Sequence, residues 1–472
     1  MQRIAFLSIS FLIAGCATSA AHPQMAPLRI SLENTANLAQ QVDSIVEASR
    51  REIRLPGVSL VIKRGNRVVL AKGYGLADRE KGTAPTVQTI YPIASLSKQF
   101  TAAAIMKLVE QGRVRLDEPV ATYLPEYKAT HTKALRIRHL LLQTSGIPEW
   151  DELPEIDGMV TGDPAKFTLA RVIELLGHQP QLYPPGDWWS YSNSNYSLLA
   201  AVIERVSGTT YEQYLSETLF RPLGLRSTGS CQPEHGLPFG SYAVGYLATE
   251  NSFELKPFTT ARAYTGPGGL CSNATDLALW MRALVDGRAV NAASFQQMTT
   301  TAPVSAGFTP PYGFGLSVVP LAGEPAVWHI GVIAGFTSVL VYFPKQDLII
   351  AALTNSRHAL LQTVVERVAR AVIGLKEPKL LDLPISAIQL GRVVGNYDDA
   401  MFKFRIYAES GQLYIHVPDF GSPQRLQYQG GEMFATPEPG MVRRLWFEPR
   451  TGSVARVIWE WGELRAYGRR VR

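Results

Sequence analysis

Apolar and polar positions along the chain change their period several times, and each change marks an element. Residues 38–54 carry apolar side chains at helical spacing, which predicts an amphipathic helix leading into the fold. Two strand-like runs follow, 58–63 and 67–72, separated by Arg64, Gly65 and Asn66, a hairpin signal. From Ser95 to about Met298 the pattern is helical with long loops, most clearly over 99–111, 169–176, 196–206 and 275–285. Apolar, β-branched runs return at 336–343 and 348–354, broken by Pro344, Lys345, Gln346 and Asp347, and a helical pattern covers 360–375. Strands at both ends of one unit with helices between them predict an α/β domain over 38–375. Its antiparallel sheet is flanked by helices, and the insertion forms an all-helical lobe.

Beyond a linker at 376–390 the texture becomes period two. Residues 402–407, 413–417, 442–447 and 454–461 alternate apolar with polar positions between Gly, Pro and acidic breaks, which predicts a C-terminal antiparallel β-domain over 391–472. Trp446, Trp459 and Trp461 read as its core, and the basic cluster Arg469, Arg470 and Arg472 as a solvated tail.

Length and composition fit two or three folding units: 472 residues, 46% hydrophobic, with 39 Gly and 31 Pro. The excess of basic over acidic side chains is 46 − 40 = 6, without a long run of one sign, which gives no support to nucleic-acid binding. The amino terminus sets the compartment. Arg3 precedes an apolar core, 4–14, that is short for a membrane span and reads as an export signal. Its end, Ile13-Ala14-Gly15-Cys16, resembles the lipobox of bacterial lipoproteins, which implies a chain processed and lipidated at Cys16, with 17–37 as tether, on a membrane of the cell envelope; the alternative is a plain signal peptide cut near Ala17 to Ala20. In that compartment Cys231 and Cys271 can pair or remain two separate buried thiols.

Three clusters carry chemistry. In Ser95-Leu96-Ser97-Lys98, a helix opening at Ser95 would put the Lys98 amine one turn along on the same face, within reach of the hydroxyl. Free N–H groups at the helix start would favour a developing oxyanion. In Tyr191-Ser192-Asn193, a phenol can shuttle protons beside a lysine, and an amide can fix that lysine and bind a substrate carbonyl. His329-Ile330-Gly331 stands just before an apolar strand, where an edge can donate an N–H and glycine allows close approach. Taken singly, each also reads as a helix cap, a packed tyrosine or a core histidine.

Together, in this order and with flanks such as Leu140-Leu141-Leu142-Gln143-Thr144-Ser145-Gly146 and Tyr312-Gly313-Phe314-Gly315, they resemble the serine β-lactamase and penicillin-binding-protein family, class C and D,D-peptidase branch, over about residues 45–375. The entry to the C-terminal domain, Leu390 to Tyr397, looks like the opening strand of the lipocalin-like barrels that follow some of these hydrolases. The resemblance implies Ser95 as nucleophile and Lys98 and Tyr191 as general bases. It implies Asn193, His329, Gly331 and Val332 as substrate-binding residues, the N–H groups of Ser95 and Val332 forming the oxyanion hole. No cofactor or metal is implied, and the partner is a small ester, amide or peptide. His329 stands where many relatives carry lysine, Ile330 where penicillin-hydrolysing relatives carry Ser or Thr, and Gln143 where many carry histidine. The first two departures rank esters and D-amino-acid amides above β-lactams as substrates. The alternative is an envelope receptor acylated without turnover. A metal hydrolase finds no His-Glu-x-x-His or close His/Asp pair among the eight histidines.

Overall fold

A computed structural model describes residues 32–471, apart from 129–133, 151–152, 154–167, 233–240, 250–251, 257–260, 358–360, 377–378, 399–402, 419–422, 432, 439–440, 449–453, 455 and 462–463. Cys16, the export signal and the tether up to residue 31 lie outside the described residues.

The first helix, α1 (Leu32–Glu52), starts inside the stretch read as tether. Five strands then make one antiparallel sheet: β1 (Gly57–Arg64), β2 (Arg67–Gly75), β3 (Val327–Ile333), β4 (Phe336–Phe343) and β5 (Leu348–Thr354), in the order β2-β1-β5-β4-β3. The seam joins the ends of the unit, with Val58 opposite Thr354 and Arg64 opposite Leu348. Strands β4 and β5 are buried at every position, which is why their sequences are apolar without alternation, whereas edge strand β2 is largely open and mixed. On the back face Val42 and Val46 of α1 and Val364, Val365 and Val368 of α6 (Leu361–Ile373) pack around Trp328, Val339 and Ile350. On the front lie α2 (Ser97–Glu110), α3 (Leu169–Gly177), α4 (Asn193–Ser207) and α5 (Ala274–Val285), the helical lobe and its neighbours. Helix α2 is buried from Ser97 to Met106, and its small face Ala102-Ala103-Ala104 lets other helices close on it.

A small sheet in front, Tyr91–Pro92 beside Leu270–Ser272 beside Gly229–Ser230, is stapled by a disulfide between Cys231 and Cys271, whose Cα atoms are 5.0 Å apart. Closing a loop of this length removes roughly 4 kcal/mol of chain entropy from the unfolded state.

The C-terminal domain is a closed antiparallel barrel of eight strands among the described residues. They are β6 (Gly395–Asp398), β7 (Lys403–Glu409), β8 (Gln412–His416), β9 (Gln424–Gly430), β10 (Met433–Glu438), β11 (Met441–Glu448), β12 (Arg456–Trp461) and β13 (Leu464–Val471). Pairing of Asn396 with Val471 closes it, and Tyr397, Phe404, Ile406, Phe434, Leu445, Phe447 and Val457 fill the interior.

Three expectations need correction here. Residues 390–393 are not strand: helix α7 (Ala387–Val393) runs through the end of the linker and into that stretch, because Ser386 and Gln389 form a reciprocal capping box. Trp446 is not core, since Leu445 and Phe447 point inward and the period of two turns it out, half-exposed; the side chains of Trp459 and Trp461 lie outside the described residues. The Arg469–Arg470 stretch is strand rather than tail, and the half-buried Arg470 guanidinium donates to the carbonyls of Arg392 (3.2 Å) and Val394.

Candidate active site

From Ile90 to Met106 every residue is buried except Ser95. It sits in the middle of a 3₁₀ turn, Ala94–Leu96, and the α-helix opens two residues later, at Ser97, instead of at Ser95 itself. Ala94 holds φ at +46°, a left-handed conformation costly for a residue with a Cβ, and this sharp turn lifts the hydroxyl out of the core.

Beneath it Lys98 is wholly buried. Its Nζ lies 3.1 Å from Ser95 Oγ, 2.7 Å from Asn193 Oδ1 and 3.1 Å from the Pro267 carbonyl. Two of these partners only accept hydrogen bonds, and the third can also donate. A neutral amine, with two N–H bonds and a lone pair, satisfies that set by receiving the Ser95 proton. The same Nζ is 4.7 Å from the ring centre of Tyr191 and 5.6 Å from that of Tyr196, two π faces that favour the charge it would gain. The spacing of the first two motifs is thus realised in space: Ser95, Lys98, Tyr191 and Asn193 converge.

A residue the sequence did not explain organises the second motif. Gln143, buried and at φ +62°, accepts at Oε1 from the Ser192 backbone N–H and from Asn195 Nδ2, while its carbonyl accepts from Ser190 N–H. It brackets the turn that delivers Tyr191 and Asn193. Glu149 completes the bracket by accepting the Asn193 backbone N–H at the start of α4, where a carboxylate suits the helix dipole. Only the proximity of Gln143 to a Thr-Ser-Gly turn hinted at this, because the partners lie about fifty residues away.

The third motif lies within edge strand β3, one hairpin turn ahead of the apolar strand β4. Gly331 passes so close to the Ser95 turn that a Cβ there would meet the Ile93 carbonyl oxygen at 2.1 Å, and Ser338 Oγ donates to the same oxygen at 2.8 Å. The two-residue hairpin closes on the pair Ile333 and Phe336, so alternation turns the N–H of Val332 to the open edge beside Ser95. The Val332 side chain is exposed.

His329 departs from the expected role of direct substrate contact. Its ring is fully buried, with Nδ1 2.7 Å from the Ile330 carbonyl and Nε2 2.9 Å from the Tyr312 hydroxyl. The carbonyl can only accept, so Nδ1 carries the proton and Nε2 accepts from Tyr312. Burial pushes its pKa down to about 3. Ile330, on the opposite side of the strand, packs half-buried against the layer around Trp328. Position 330 therefore has a packing role as well as lacking a hydroxyl.

Burial, together with Arg136 and Arg138, likewise lowers the pKa of His139 to about 4. Both histidines take up protons more readily in the unfolded chain, near the ordinary value of 6.5. The stability they contribute is complete above that pH and is lost as pH falls toward 4, at about 1.4 kcal/mol per pH unit for each. Denaturant titrations between pH 7 and 4.5 are expected to show this slope, and His329→Gln and His139→Gln each to reduce it.

No cluster of three or more metal-ligating side chains occurs among the described residues, and none of their helices is long and apolar enough to cross a membrane.

An antiparallel sheet with a helical lobe, and a surface serine over a buried lysine, a tyrosine and an asparagine at their junction, define the serine hydrolases of the β-lactamase fold. The model of the Beta-lactamase family matches residues 42–374, and the chain belongs to that family. It is 33% identical over 308 residues to the putative penicillin-binding protein PbpX of Bacillus subtilis (strain 168), covering 65% of this chain and 72% of that one. The octameric penicillin-binding protein homologue from Pyrococcus abyssi superposes with a TM-score of 0.65 at 27% identity, over 91% of this chain and 99% of that one. The D-amino acid amidase from Ochrobactrum anthropi SV3 shares the fold, with a TM-score of 0.64 at 22% identity over 72% of this chain and 99% of that one.

Proposed function

We propose that this is an exported serine hydrolase, lipid-anchored through Cys16, which turns over ester or amide substrates that carry no negative charge through an acyl-enzyme on Ser95. The observation that carries the reading is the 3.1 Å approach of a fully buried lysine amine to the single surface hydroxyl of the nucleophile turn. Neutral Lys98 takes the Ser95 proton as Oγ attacks the substrate carbonyl, and the N–H groups of Ser95 and Val332 receive the oxyanion. Tyr191, against the lysine, gives its proton to the leaving alcohol or amine; water then enters, Tyr191 regains a proton from it as its oxygen attacks the acyl carbon, and Lys98 returns its proton to Ser95 Oγ as the acyl bond breaks. Asn193 holds Lys98 and presents its amide to the substrate.

Substrate preference follows from electrostatics. Where many relatives place a lysine, this site has a buried neutral imidazole, so an anionic β-lactam or a peptide with a free terminal carboxylate gains less attraction here. The Ochrobactrum neighbour, a D-amino acid amidase, accords with substrates of this kind.

The test is a screen of the purified soluble form with short-chain esters, D-aminoacyl amides and a chromogenic cephalosporin. Repeated turnover of esters or amides, with kcat/KM at least tenfold above the cephalosporin, is expected. One equivalent of stable adduct without turnover would replace this reading with that of an acylated receptor.

A further inference from the structure

The barrel touches the catalytic unit at one consequential place. Val457 fills the barrel interior, so its neighbours on β12, Arg456 and Ile458, face outward. Ile458 packs against the aromatic cluster of Trp188, Trp189, Phe308 and Tyr312, and Tyr191 lies against the same cluster. The Arg456 guanidinium is held by Glu448 at 2.8 Å. It points its remaining N–H groups at the carbonyls of Ala306 (3.3 Å) and Gly307 (3.5 Å), and its carbon stands 5.2 Å from the ring centre of Phe308.

The turn so gripped, Val304 to Phe308, leads to the catalytic tyrosine by two routes. Ser305 N–H donates to the Gly186 carbonyl (3.0 Å) and Ala306 N–H to that of Asp187 (3.1 Å), four residues before Tyr191. Phe308 also meets Trp188 edge-on at 4.8 Å. Four residues beyond Phe308, Tyr312 stands at right angles to the Tyr191 ring at 6.1 Å and binds His329.

We infer that the C-terminal barrel is a working part of the active site: through Arg456 and Ile458 it positions Tyr191 for proton transfer. Arg456 is a positioning residue, acting through the 304–308 turn without touching substrate. A planar, forked cation reaches two successive carbonyls and an aromatic face together, which an ammonium does less well. A displacement of Tyr191 by about an ångström costs rate rather than affinity. The inference rests on the proposed hydrolase reading.

The experiment uses the full-length chain with the ester that the wild type turns over best. Arg456→Ala is expected to lower kcat by about tenfold or more while KM and melting temperature stay near wild type. Arg456→Lys should restore part of kcat. Glu448→Gln, which removes the charge but keeps an oxygen to accept from Arg456, should stay within about twofold. Ile458→Ser, an independent break of the same contact, should match Arg456→Ala. Unchanged kcat in both Arg456→Ala and Ile458→Ser, or loss that follows melting temperature equally in all four variants, overturns the inference. Absence of turnover and of Ser95 labelling in the wild type would instead remove the hydrolase reading beneath it.

Discussion

Ser95→Ala is expected to abolish covalent labelling by a fluorophosphonate probe and to lower ester turnover by at least about 10³-fold, with the melting temperature within a degree or two of wild type. Both parts come from geometry. The hydroxyl is the one partly exposed group in the buried run from Ile90 to Met106, and its removal would delete the proposed nucleophile; yet the side chain is small and half-exposed, so no cavity forms. Intact-mass spectrometry after probe addition reads the first part and calorimetry the second. A fully labelled mutant would move the nucleophile to another residue.

Gly331→Val has the second largest effect, for a different reason. The new Cβ would sit 2.1 Å from the Ile93 carbonyl oxygen, backbone that cannot swing aside as a flexible side chain would. Strand β3 must retreat from the Ser95 turn, carrying the Val332 N–H out of reach of an oxyanion. Acylation should slow by about 10²-fold or more, and overpacking should cost roughly 1–3 kcal/mol of stability. Stopped-flow acylation and denaturant unfolding separate the two. Slowed acylation without lost stability would mean that glycine matters for something besides close approach.

Much of this was legible in the sequence because it is local. A lysine three residues after a serine, and an asparagine two after a tyrosine, are fixed relative to each other by backbone geometry, and the apolar runs of β4 and β5 follow from burial on both faces. What depends on distant backbone was not legible. Gln143 looks like any buried glutamine until the turn at Ser190–Asn195 arrives to use it. His329 carries no mark of whether its ring faces solvent or Tyr312. The barrel strand at 424–430, Gln-Arg-Leu-Gln-Tyr-Gln-Gly, has Leu426 as its one fully buried position, which hides its alternation. Helix α7 escaped notice because its capping signal lies inside a stretch otherwise read as linker.

The sheet that supports this site pairs Val58 with Thr354, and that has a consequence for the chain's biogenesis. While the polypeptide is still emerging, the hairpin β1–β2 is complete, but its inner rim has nothing to bond to until nearly three hundred further residues have appeared. During that interval a hydrophobic ribbon stands open to annealing with a stranger. Such a nascent chain needs an escort, or rapid synthesis, far more than a protein whose neighbours in space are neighbours in time.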